Sequence, residues 1–130
     1  MTTRQNISSG GPWEERIGYS RAVRVGSFVA VAGTTAALAD GTIYGGNDGY
    51  LQAKRCFEII ERALTEAGAT LADVVRTRMF VTDISRSDEF GRAHGEFFRD
   101  IKPAATMVEV SRLLTPEMLI EVEVDAVTAG

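Results

Sequence analysis

The chain has 130 residues, 45% of them hydrophobic and 25% charged, which suits one globular domain spanning residues 1–130; a chain of that length buries roughly two-thirds of its unfolded surface. Its formal charge of -4 speaks against a nucleic-acid binder, which concentrates Lys and Arg. One cysteine, Cys56, excludes an intrachain disulfide, and no apolar run approaches membrane-spanning length.

The opening MTTRQNISSGG lacks the apolar core of a secretion signal, so a soluble, cytoplasmic protein is expected. A short strand is allowed near Asn6, and residues 8–18 (SSGGPWEERIG) read as a loop. The run RAVRVGSFVAVAG, residues 21–33, reads as two strands joined at Gly26-Ser27, where glycine supplies the positive φ of a tight hairpin. Residues 35–49 are rich in Gly, Ala, Thr and Asp and read as a loop ending in the breaker GGNDG. From Gly49 to Ala67, Cys56, Ile59, Ile60, Ala63, Leu64 and Ala67 recur at three- and four-residue steps, which predicts a helix. Asp48 is placed to cap its start and Gly68 to close its end.

Residues 73–83 (DVVRTRMFVTD) alternate, with Val75, Thr77, Met79 and Val81 set against Val74, Arg76, Arg78 and Phe80. A second helix is predicted over Ser87–Asp100, with Phe90, Ala93, His94 and Phe97 inward and Pro103 marking its end. Two more alternating runs follow, residues 102–113 and 119–127. In the last, Ile120, Val122, Val124 and Ala126 oppose Glu121, Glu123 and Asp125. The order β-β-α-β-α-β-β predicts an α+β two-layer sandwich, a mixed sheet with two helices on one face. The other face is expected to carry Arg76, Arg78, Glu109, Glu121 and Glu123 with Met107, Val74 and Phe80. It is too apolar to stand bare and too charged for a core, which fits an oligomer interface enclosing polar pockets.

Several runs resemble one family in order and spacing over nearly the whole chain. GYSRAVRVGSFVAVAG is similar to the GPYSQAI…G…V…SGQ opening of the RidA/YjgF family, also known by the name endoribonuclease L-PSP. AGATLADVVRTRMFVTDI resembles its AG…L.DVVK…F.TD segment, and KPAATMVEVSRL with LIEVEVDAV resemble its PARTTVEVARL and IEIEAIAV. The resemblance implies a chorismate-mutase-like fold and a homotrimer with ligand clefts between subunits. It also implies hydrolytic deamination of imines or enamines without metal or cofactor. It implies that Tyr19 is the pocket tyrosine, Gly33 the glycine whose backbone faces the ligand, and Glu121 the glutamate that orients water. The family's carboxylate-gripping arginine falls on Ala105, its neighbouring cysteine on Met107, and its second-helix asparagine on Gly91.

These departures have chemical content. A guanidinium holds a carboxylate by paired charge-assisted hydrogen bonds, which Ala105 cannot offer. Together with Met107, an adaptable gap-filler, this predicts a less charged ligand. Arg78 is a replacement cation, with an interface salt bridge as its other reading, and Arg21 is a weaker candidate. Glu121, Glu123 and Asp125 can equally be solvated or paired with Arg76 and Arg78. Tyr19 can equally be packing. His94 reads as a packed histidine, Cys56 as a small core residue, and Trp13 as either a cleft lid or a pin for the N-terminal arm. No Cys/His cluster suits a metal, and GGNDG lacks the glycine spacing and lysine of a phosphate loop. The expected ligand is a small metabolite. The alternatives are a non-catalytic binding or regulatory trimer and, most weakly, an endoribonuclease.

Overall fold

The computed structural model describes residues 3–129. Six strands form one sheet: β1 (Arg4–Ile7), β2 (Ala22–Val25), β3 (Phe28–Thr34), β4 (Val74–Val81), β5 (Ala104–Glu109) and β6 (Ile120–Val127), in the order β1-β2-β3-β6-β4-β5. Every neighbouring pair is antiparallel except β4 with β5, so the sheet is mixed. Two long helices, α2 (Gly49–Glu66) and α3 (Ser87–Phe98), cover one face, as the two-layer α+β reading requires.

That layer is closed by apolar burial. Val29, Val31, Val81, Ile120, Val122 and Val124 from the sheet meet Cys56, Phe57, Ile60, Leu64, Phe90 and Phe98 from the helices. The predicted α2 stripe is the buried one, with Ile59 at its half-buried margin. Asp48 caps α2 by accepting from the Leu51 N–H at 3.0 Å, and Gly68 adopts φ 81° past its end. Arg24 reaches the freed carbonyls there, donating to Ala67 O at 2.8 Å and Gly68 O at 3.3 Å.

Four expectations need correction. The predicted loop over residues 8–18 contains a six-residue helix, α1 (Pro12–Ile17). Pro12 presets its first φ, and Gly18, at φ 91°, ends it. The strand near Asn6 is real and forms the sheet edge. In β4 a bulge falls at Val75: Val74 pairs with Ala126 and Arg76 with Asp125. The bulge sends Val74 into the core at 3% exposure and turns Val75 outward at 48%, the reverse of simple alternation.

The last strand before the chain end runs as predicted, but the one before it is short. Only Ala104–Glu109 of the run 102–113 is strand. Its parallel register sets Met107 beside Met79 and Glu109 beside Val81, and this places both on the helix face. Met107 packs against the core, and Glu109 accepts from the Ile84 N–H at 3.0 Å, closing the turn before α3. The helix-free face therefore carries Arg76, Arg78, Phe80, Glu121, Glu123 and Asp125, without Met107, Val74 or Glu109.

Candidate functional site

The acids of β6 face a short segment that ends α1 and begins β2. Gly18, in the left-handed conformation, turns the chain so that Tyr19 leaves the helix with its N–H on Glu14 O at 3.0 Å. Two residues on, Arg21 lies on the same side of the extended chain. Its guanidinium is 5.8 Å from the Tyr19 ring centroid and donates through Nη2 to Gly33 O at 2.6 Å. Glu14 is buried beneath this turn. Burial alone would raise its carboxyl, but hydrogen bonds from Ser9 and Ser8, with help from Arg21, hold it below the usual range.

Gly33 sits in a β3 bulge, between the pairs Val31–Val124 and Thr34–Val122. Here glycine leaves room for the Glu121 side chain as it lies. A Cβ at this position would collide with Oε2 of Glu121 and lie 3.0 Å from its Cδ. The glutamate thus folds over a bare patch of backbone, half-buried between strands. Burial pushes the Glu121 carboxyl above its ordinary value; Arg21 pulls it down, and Glu123 adds to the rise. A carboxylate so placed is poised to take up and release a proton closer to neutral pH.

Beside this cluster the helix-free face forms an open-sided cleft of about 760 Å³, lined by Glu14, Tyr19, Val23, Ala32, Glu123 and Asp125 among others. Arg78 stands on its far side, but its guanidinium is committed. Nη1 lies 3.1 Å from Asp125 and 3.7 Å from Glu123. The salt-bridge reading of Arg78 is therefore the one its contacts match, made within one chain.

Tyr19, Gly33 and Glu121 thus come together through Arg21. Ala105, Met107 and Gly91 do not join them within one protomer. Ala105 shares the helix side of β5 with Met107 and is exposed at the sheet edge. Gly91 lies on the exposed side of α3, with open space where a side chain would project. His94 is packed as expected: Nε2 is 2.9 Å from Thr77 Oγ1, and the ring lies against Phe57 and Phe98. Burial lowers its pKa. The Cys56 thiol is fully buried, and burial pushes its pKa up strongly. Trp13, on α1, is half exposed and stacks under Arg16 at 5.0 Å. Arg21 was undervalued by sequence reasoning; the Tyr-Ser-Arg spacing that aligns it with Tyr19 was the available signal. Among the described residues no His, Cys, Asp and Glu group could hold a metal, and no helix is long and apolar enough to cross a membrane.

A mixed sheet with two helices on one face, and a glutamate laid over a strand glycine on the other, defines an α+β protein of the chorismate-mutase-like kind. The chain belongs to the family described as endoribonuclease L-PSP, which it matches over residues 13–128. It is 39% identical over 122 residues to an uncharacterized protein of Streptomyces coelicolor, covering 94% of this chain and 90% of that one. A RutC family protein of Pyrococcus abyssi is 41% identical over 106 residues, covering 81% and 82%. Among solved structures, Rv2704 of Mycobacterium tuberculosis, a member of the YjgF/YER057c/UK114 family, superposes with a TM-score of 0.89 at 48% identity, covering 97% of this chain and all of that one.

Proposed function

We propose that this protein binds a small metabolite in clefts between the subunits of a homotrimer and hydrolyses a C=N bond there, releasing ammonia. The observation that carries the reading is Glu121, half-buried over Gly33 and raised in pKa by burial, with Tyr19 and Arg21 alongside. Ionised Glu121 takes a proton from water as the oxygen adds to the imine carbon and passes it to nitrogen, giving a carbinolamine. It then carries the hydroxyl proton to the amino group, the C–N bond breaks, and ammonia leaves a carbonyl behind. The Tyr19 hydroxyl and the Gly33 backbone orient the ligand. Exposed Val25, Phe28 and Val127 at one end of the helix-free face favour burial of that face against other subunits.

In this reading the chain is of a branch without the arginine at position 105, so its substrate differs from that of members that have it. Ammonia release from a panel of imines, with and without a carboxylate, tests the reaction. Release no faster with the native chain than with Glu121→Gln sinks it. A mass in solution of one subunit would sink the intersubunit cleft. A non-catalytic binding trimer is the second reading, favoured by Ala105 and Met107, which offer neither cation nor thiol; silent protein carrying a co-purified metabolite would establish it. RNA cleavage is disfavoured by the charge of -4 and by the packing of His94, the only histidine, between helix and sheet.

A further inference from the structure

Where β6 begins, its two sides are held differently. On one side β4 continues the ladder, pairing Phe80 with Glu121 and Val81 with Ile120, and the Thr82 N–H donates to Leu119 O at 3.1 Å. On the other, the register with β3 runs no further than the Thr34–Val122 pair among the described residues. Glu121 thus stands one residue past the last β3 pair, over the bulged Gly33, where the ladder fixes it from one side only. The lead-in to this end of the strand is held instead by a side chain of α2, Gln52, which is fully buried. Its Nε2 donates to Glu117 O at 2.9 Å and to Gly46 O at 2.6 Å, and its Oε1 accepts from the Leu119 N–H at 3.0 Å. Burying an amide is unfavourable unless its donors and acceptor are paired in this way. The partners belong to the two segments that flank the Gly33–Glu121 contact. Glu117 and Leu119 lead into β6, and Gly46 lies on the arm that leaves β3 after Thr34. Cys56, one turn along the same face of α2, is within electrostatic reach of Glu121.

We infer that Gln52 is a positioning residue for the reaction: by gripping the backbone at residues 46, 117 and 119 it holds Glu121 over Gly33. The inference rests on the site proposed above and deepens it. The seating of α2 on the sheet does not call for a polar side chain here, since Ala53, Cys56, Phe57, Ile60 and Leu64 already supply apolar burial along the same stripe. All three hydrogen bonds of Gln52 go to connecting segments, and two of them fall within four residues of Glu121. An apolar side chain of similar size would fill the volume and leave the Leu119 N–H and two carbonyls without their partner. The start of β6 then frays from β3's end of the sheet, and the Glu121 carboxylate swings off the glycine toward water. A misplacement of about 1 Å in a reacting group is enough to cost about 100-fold in rate.

The test reads the position of Glu121 apart from turnover. In the native chain a Gly33 α-proton lies against Cγ of Glu121, since a Cβ built there would be 3.3 Å from it, and a nuclear Overhauser cross-peak between the two residues is expected. Gln52→Met, similar in size, loses that cross-peak. Leu64→Ala, a cavity in the same helix at a fully buried position, lowers the melting temperature and keeps it. Gln52→Asn, whose shorter amide cannot span all three partners, weakens it and serves if Gln52→Met does not fold. With an imine that the native chain hydrolyses, Gln52→Met lowers kcat by about tenfold or more with KM nearly unchanged, and Leu64→Ala changes neither. A native chain without the cross-peak overturns the inference. So does a folded Gln52→Met that retains it, or its loss in Leu64→Ala as well. Loss of the cross-peak in Gln52→Met with kcat unchanged overturns it too. A cross-peak lost only in the Gln52 variants, without ammonia release from the native chain, retains the hold on Glu121 and sinks the hydrolysis.

Discussion

The two faces of the sheet use the same strands for opposite ends. On the helix side, β6 presents Ile120, Val122, Val124 and Ala126, all without measurable exposure, against the aromatic cluster of Phe57, Phe90 and Phe98. On the other side the same strand presents Glu121, Glu123 and Asp125, half-buried and electrostatically linked to Arg21 and Arg78. One face gains its stability by removing apolar surface from water, the other keeps charge near water and balances it unevenly. Arg78 is paired with two carboxylates, while Arg21 forms no direct ion pair among the described residues. The candidate site is the part of the sheet where carboxylates and arginines are not fully paired with one another.

That contrast can be broken from the helix side first. Phe57→Ala should cost about 3–5 kcal/mol, because it empties a fully buried position on which His94, Phe97 and Phe98 all pack; denaturant unfolding measures it, and binding in the folded fraction should persist. On the other face, Glu121→Gln should lower ammonia release by about 100-fold or more while leaving the melting temperature unchanged or higher, since it removes a half-buried charge. A melting temperature that falls with activity would mean Glu121 is structural.

Gly33→Ala is the sharper probe of the site's geometry. In an ordinary strand this swap would stabilise by about 0.5–1 kcal/mol. Here the Cβ meets the Glu121 carboxylate, which must swing aside, so reduced activity is expected with little or none of that gain in stability. A Gly33→Ala protein with undiminished activity would show that the placement of Glu121 over this glycine does not matter to the site. Asp48→Ala should cost about 1 kcal/mol through the lost cap of α2, with no effect on the pocket.

The smallest expected effect is pH dependence from His94. Burial favours its neutral form, so the folded state has the lower pKa. Its contribution is complete above the unfolded value near 6.5 and is lost as pH falls below that toward the folded value. Unfolding at pH 7.5 and at pH 5.5 should therefore differ less for His94→Gln than for the native chain. An equal difference in both would assign the sensitivity between these pH values to groups other than His94.

Much of this molecule was legible in one dimension. The period-two alternation of residues 119–127, the helical stripe from Cys56 to Ala67, the cap at Asp48 and the hairpin at Gly26-Ser27 are local facts of sterics and hydrogen bonding, so the chain alone dictates them. Resemblance then named Tyr19, Gly33 and Glu121 together. The Val75 bulge was not legible, because a single extra residue changes no local pattern yet reverses which of two valines is buried. The side taken by Met107 was hidden too, since an alternating strand does not reveal which of its faces meets the helices until its partner fixes the register. Spacing could align Arg21 with Tyr19 but could not show which of Arg78 and Arg21 is paired with carboxylates, for the reason that decides most sites. A charge is defined by its neighbours in space, and Arg21, Gly33 and Glu121 become neighbours only when β2, β3 and β6 are laid side by side.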